Sequence, residues 1–127
     1  MNFRELMIGD YVLHLSNKKP DRVFKVCEQY VKLDDGWYYF NDEIAPIPLT
    51  AEILVDSGFE QSSLWCDQDY LTFRHGEFRL FYNIVNNEFT IVFGAVDLNI
   101  RYVHELQHVL SFCHIECDII INPENIY

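Results

Sequence analysis

The chain has 127 residues, the size of one domain; half are apolar and 16% aromatic, enough to build a core and too hydrophobic for intrinsic disorder. Its 20 acidic against 9 basic residues leave a formal net charge of −11, which argues against binding to phosphate backbones or anionic membrane surfaces. No stretch approaches the roughly 18 apolar residues of a membrane span, and Met1-Asn2-Phe3-Arg4-Glu5 lacks the basic-then-apolar pattern of a signal peptide, so the chain reads as soluble and cytoplasmic.

Taken in chain order, Asn2 to Glu5 has capping-box spacing and predicts an opening helical turn. Gly9-Asp10 starts a strand over 11–15, and the basic group Lys18, Lys19 and Arg22 falls in or beside a hairpin loop. Further strands are expected over 23–30, 31–33 and 37–40, the last two flanking the turn Asp34-Asp35-Gly36. The segment 44–49 contains Pro46-Ile47-Pro48 and suits an extended edge, because proline cannot donate to a ladder. Short twisted strands joined by tight turns predict a small SH3-like barrel or curled sheet.

Thr50 is a good N-cap, Glu52 complements the helix dipole and Gly58 is a good stop, so 51–57 reads as a short helix pinned by Phe59. An antiparallel meander follows, with strands over 63–66, 70–74, 77–85 and 88–93 and two-residue turns at His75-Gly76 and Asn86-Asn87. Phe78, Leu80, Tyr82 and Ile84 alternate as one strand face. Residues 94–99 read as a connection, 100–114 as the longest helix and 117–121 as a last strand before a polar tail. The fold class is α+β in one domain over 1–127: a β-rich half 1–49, a helix 50–58, and a meander packed on a C-terminal helix over 62–121.

Within the long helix, His104-Glu105-Leu106-Gln107-His108 matches H-E-x-x-H, in which two histidines bind zinc and the glutamate is the general base. His114 stands where the metzincin pattern has its third ligand, but Ser111 replaces the turn glycine, and the only methionines are Met1 and Met7, so the downstream Met-turn is missing. At about 100° per residue, Val103, Leu106, Val109, Leu110 and Cys113, with Tyr102 beside them, form the buried stripe. His104 and His108 then lie on the opposite side, about 40° apart, and are expected in water, with His114 well off their side. In the tail, Glu116 or Asp118 could replace it only after a sharp turn. The match is therefore read as incidental, with no catalytic, cofactor or metal residue assigned.

The remaining constellations are weaker. Cys27, Cys66, Cys113 and Cys117 are too few for a disulfide scaffold and read as reduced thiols; a cysteine-only zinc site needs a second pair besides Cys113 and Cys117. His14 and His75 are single histidines with a structural reading, and Asp34, Asp35, Asp42, Glu43, Asp67 and Asp69 read as turn residues. In Trp37-Tyr38-Tyr39-Phe40 at most two side chains share a side, the inward pair being core and the outward pair a possible aromatic partner patch.

The chain resembles a group of small uncharacterised proteins of gut Bacteroidales genomes and their prophages. The residues that carry the likeness are Leu6-Met7-Ile8-Gly9-Asp10-Tyr11-Val12, Phe24-Lys25-Val26, Ile44-Ala45-Pro46-Ile47-Pro48-Leu49-Thr50, Ile53-Leu54, Gly58-Phe59 and Tyr102-Val103-His104-Glu105-Leu106-Gln107-His108, nearly the whole chain in order. The resemblance implies Gln and Asn as common residues at positions 105 and 108, which a zinc site does not tolerate, and it implies no activity. The leading expectation is a non-enzymatic accessory domain of a bacterial or phage mobile element that binds another protein. The alternatives are a zinc-dependent hydrolase using His104, Glu105, His108 and His114, and an acidic nucleic-acid mimic that occupies a host defence protein.

Overall fold

The computed structural model describes residues 5–63, 69–93 and 96–123. Among these residues, two five-stranded antiparallel sheets and two α-helices make an α+β fold that is mostly β. In the first sheet β1 (Tyr11–His14), β2 (Pro20–Val26), β3 (Tyr30–Leu33) and β4 (Tyr38–Phe40) follow one another, and β5 (Ile44–Pro46) returns to pair with β1. The resulting order is β4-β3-β2-β1-β5, with the proline-bearing strand at an edge as its composition requires.

Connectivity forces this sheet to curl. Flat strands about 4.8 Å apart would hold β4 and β5 roughly 19 Å from each other. Only a single 3-10 turn, Asn41–Glu43, joins them, and four Cα–Cα steps reach at most about 14 Å. The turn is held by Glu43, whose side chain accepts the Phe40 N–H at 2.9 Å and whose carbonyl accepts the Leu15 N–H at 3.1 Å. A register shift between Val23 and Lys25 bends β2 at Phe24. The two edges do not pair, so the sheet is open and the expected barrel is not closed. Its concave side holds a small core of Leu6, Val12, Val23, Val31, Leu33 and Ile44, with Tyr39 against it.

Helix α1 (Ala51–Asp56) begins where expected, with the Thr50 hydroxyl accepting the Ile53 N–H at 3.3 Å. The second sheet is a meander of β6 (Glu60–Ser63), β7 (Tyr70–His75), β8 (Phe78–Asn83), β9 (Glu88–Phe93) and β10 (Val96–Ile100). Helix α2 (Val103–Phe112) follows. The large core joins Phe73, Leu80, Phe89 and Ile91 of the meander to Ile53 and Leu54 of α1 and to Val103, Leu106 and Leu110 of α2. Leu13, on the convex side of β1, joins this second core, so β1 serves both.

Several boundaries differ from expectation. Residues 96–100, read as a connection, form β10 against β9, and α2 starts only at Val103. Backbone bonds from Leu49 N–H to the Arg101 carbonyl and from Val103 N–H to the Ile47 carbonyl, both 2.9 Å, hold the intervening residues extended. Glu60–Ser63 is the first meander strand; the rest of the predicted 63–66 strand lies outside the described residues, as does most of the predicted 2–5 turn. The tight turns are Gly76-Glu77 and a four-residue loop, 84–87, with Asn87 at φ +56°. Ile84 therefore lies beyond β8 and is exposed. Residues 117–121 form no strand; instead Ile119 packs into the large core and the Ile120 N–H donates to the Ser57 hydroxyl at 2.9 Å. No described helix is long and apolar enough to cross a membrane.

Candidate functional site

The apolar stripe of α2 is as expected for Val103, Leu106 and Leu110, which are buried, while Val109 is half-buried. The expectation that His104 and His108 face water is wrong. His104 is 2% exposed and His108 is half-buried. The reason is that α2 is covered on two sides. One side meets the meander, and the side bearing the polar residues meets the Gly9-Asp10-Tyr11 entry to β1. A helical wheel marks one apolar face and gives no sign of a second neighbour that is itself polar.

Each polar residue of this side has a separate task. The Gln107 amide accepts the Tyr11 N–H at 2.8 Å and donates to the Gly9 carbonyl at 2.9 Å. His108 Nε2 lies 2.5 Å from Asp10 Oδ2, and Asp10 also accepts the Met7 N–H at 2.8 Å. Burial pushes the Asp10 carboxyl above its usual range, against the pull of the Met7 N–H and of His108. The His104 ring stacks on Tyr102 (5.8 Å between centroids) and meets His108 edge-on at 5.7 Å. Burial holds its pKa below the ordinary value, and its Nδ1 is buried with no hydrogen-bond partner among the described residues.

Glu105 caps the start of its own helix, accepting the N–H groups of Arg101 at 2.9 Å and Tyr102 at 3.0 Å. His114 follows the helix end, exposed and at φ +56°. His108, Glu116 and Asp118 line one open groove of about 630 Å³ with Arg22, Gln107 and Ser111; His104 and Glu105 lie outside it. The H-E-x-x-H segment thus places a buried ring, a helix cap and a carboxylate-bound imidazole in three different environments.

The first sheet carries the other feature. On its convex side Tyr30 pairs across the ladder with Phe40, and Lys32 with Tyr38, so these four side chains share one face. The Tyr30 ring meets Tyr38 edge-on at 5.1 Å and Phe40 at 6.1 Å. Lys32 Nζ sits 5.4 Å from the Phe24 ring centre and 5.6 Å from that of Tyr38. Tyr38 is 50% exposed, Phe40 56% and neighbouring Trp37 71%. Of the aromatic run, only Tyr39 turns inward, so the expected inward pair is a single residue.

Sequence reasoning missed one cluster beneath this sheet. His14, read as an isolated strand histidine, is buried beside Asp21 and beside Asp35, the latter read as a turn residue. Tyr39 OH donates to Asp35 at 2.5 Å, and this bond to a carboxylate pushes the Tyr39 pKa up to about 12. No periodicity links positions 14, 21 and 35; only strand pairing brings them together. Compared with protein-family models, curated proteins and solved structures, the chain matches none.

Proposed function

We propose that this protein is a non-enzymatic accessory module, of a bacterial or phage mobile element as the Bacteroidales resemblance implies, that binds another protein through the convex aromatic face of its first sheet. The observation that carries the reading is the contiguous exposure of Phe24, Tyr30, Tyr38 and Phe40 around Lys32. Exposed aromatic groups contribute much of the energy of protein interfaces, because they offer large rigid area at low entropic cost. The strand order, the 3-10 turn before β5 and the bend in β2 support an SH3-like reading of this curled sheet. Lys25 pairs with Lys32 across the ladder, so a chain with only 9 basic residues places two of them here. The partner surface is therefore apolar and acidic.

The test compares capture of partner proteins by the unaltered chain and by a Tyr38→Ala/Phe40→Ala variant. Both positions are exposed, so the variant keeps its fold, losing at most the cross-strand pairing of these rings, about 1 kcal/mol or less per site. A partner held by the unaltered chain, weakened at least tenfold by the double substitution and retained by Phe112→Ala, an exposed aromatic elsewhere, is the expected result. Equal capture by all three chains contradicts the reading.

A further inference from the structure

We propose that His14, Asp21 and Asp35 form a binding site for a first-row divalent transition-metal ion such as zinc or manganese. The three residues come from separate parts of the first sheet: His14 from β1, Asp21 from β2 and Asp35 from the turn between β3 and β4. Their ligand atoms all lie within 4.8 Å of one another. His14 Nε2 is 3.0 Å from Asp21 Oδ2 and 3.7 Å from Asp35 Oδ2. An ion held tetrahedrally at about 2.0–2.1 Å from nitrogen and oxygen ligands sets those ligands roughly 3.3–3.4 Å apart, a spacing these two distances bracket.

The carboxylates are aimed. The second oxygen of each is occupied by backbone: Asp21 Oδ1 accepts the Arg22 N–H at 2.8 Å and Asp35 Oδ1 the Trp37 N–H at 2.9 Å. Tyr39 OH, bonded to Asp35 Oδ2, further fixes that group. Outer contacts of this sort orient metal ligands and preserve their geometry. The arrangement directs both Oδ2 atoms at one imidazole nitrogen. A proton on Nε2 serves Asp21 well and leaves Asp35 Oδ2, which holds the Tyr39 hydroxyl, at 3.7 Å, beyond hydrogen-bond reach of the ring. A dication satisfies both together.

His14 is buried, while the Asp35 side chain is a third exposed, so one side of the site stays open to an entering ion and to water ligands. One imidazole with two carboxylates suits zinc or manganese better than the all-oxygen sets of calcium and magnesium. A bound ion fastens the β3–β4 turn to the β1–β2 hairpin and steadies Trp37 beside the aromatic face.

The experiment uses the full chain without a polyhistidine tag, dialysed against a chelator. Calorimetric titration with zinc chloride is expected to show one ion per chain, with affinity falling at least tenfold in Asp35→Asn and unchanged in His108→Ala. A second measurement needs no variant: low manganese chloride added to ¹⁵N-labelled protein should broaden first the amide signals of Arg22, Trp37 and their neighbours. Absence of binding, zinc affinity unaffected by Asp35→Asn, or manganese broadening centred on residues 104–108 overturns the site.

Discussion

Two histidines four residues apart, His104 and His108, are held by different neighbours. The ring of His104 is buried against Tyr102 and His108, and burial depresses its pKa below the ordinary 6.5. A group whose pKa is lower in the fold than in the open chain contributes stability that is complete above about pH 6.5 and is lost as pH falls, because the unfolded state then binds the extra proton. Urea denaturation at pH 7.5 and 5.5 should therefore show a loss on acidification that is smaller in His104→Gln. His108 is different, because its partner Asp10 is 3% exposed and depends on it. Removing the imidazole in His108→Ala leaves a buried carboxyl with the Met7 N–H as its one hydrogen-bond donor among the described residues, at a cost of about 1–3 kcal/mol. On the sequence reading of a solvated residue, the same substitution costs less than about 0.5 kcal/mol. Leu106→Ala provides the scale, at about 2–5 kcal/mol for a fully buried leucine. A chemical-denaturation series on the two variants decides between these readings.

At the scale of elements, α2 is the structure's shared wall. It presents Leu106 and Leu110 to the meander and Gln107 to the backbone of the β1 entry. The Gln107 amide makes two bonds with main-chain groups nearly a hundred positions earlier, in the manner of a strand edge supplied by a side chain. Gln107→Ala should cost about 1–2 kcal/mol and, more tellingly, accelerate hydrogen exchange at the Tyr11 amide while leaving exchange within β8 and β9 unchanged. Uniform acceleration across both sheets points to global destabilisation rather than loss of a local clasp. The chain end is also fastened to an element. The Ser57 hydroxyl donates to the Ile53 carbonyl at 2.6 Å and receives the Ile120 N–H, closing the end of α1 over the tail.

The described residues form two cores with several ties between them. Leu13 of β1 enters the large core while Val12 faces the small one, Pro48 bridges to Tyr102, and Asp10 meets His108. Six buried residues form too small a core to hold a curled sheet by itself. The first sheet therefore depends on its contacts with α2 and the meander, and a single unfolding transition is expected. Methyl resonances of Val31 in the small core and Ile91 in the large one should lose native intensity at the same urea concentration. Earlier loss at Val31 means that the first sheet is an independent unit.

Much of the architecture was legible in local chemistry. Alternation in β7 to β9, the Thr50 cap, the glycine at position 58 and the prolines of 46–48 act over a few residues, and those signals place the elements they belong to. The stripe Val103, Leu106 and Leu110 was legible for the same reason, since helical periodicity is a property of neighbours in sequence. Local signals could not decide what covers the other side of α2, nor that 96–100 extends as a strand while 117–121 does not. Those outcomes depend on pairing partners distant in the chain. The three turn and strand residues His14, Asp21 and Asp35 carry no common motif, and Glu105 completes a motif yet caps a helix. The sequence by itself determined the α+β class, the two stretches of short strands and the buried stripe, because each follows from side-chain preference and spacing. Tertiary structure alone decided which histidines are buried and which carboxylates meet them, because proximity there is made by strand register and helix docking, not by spacing along the chain.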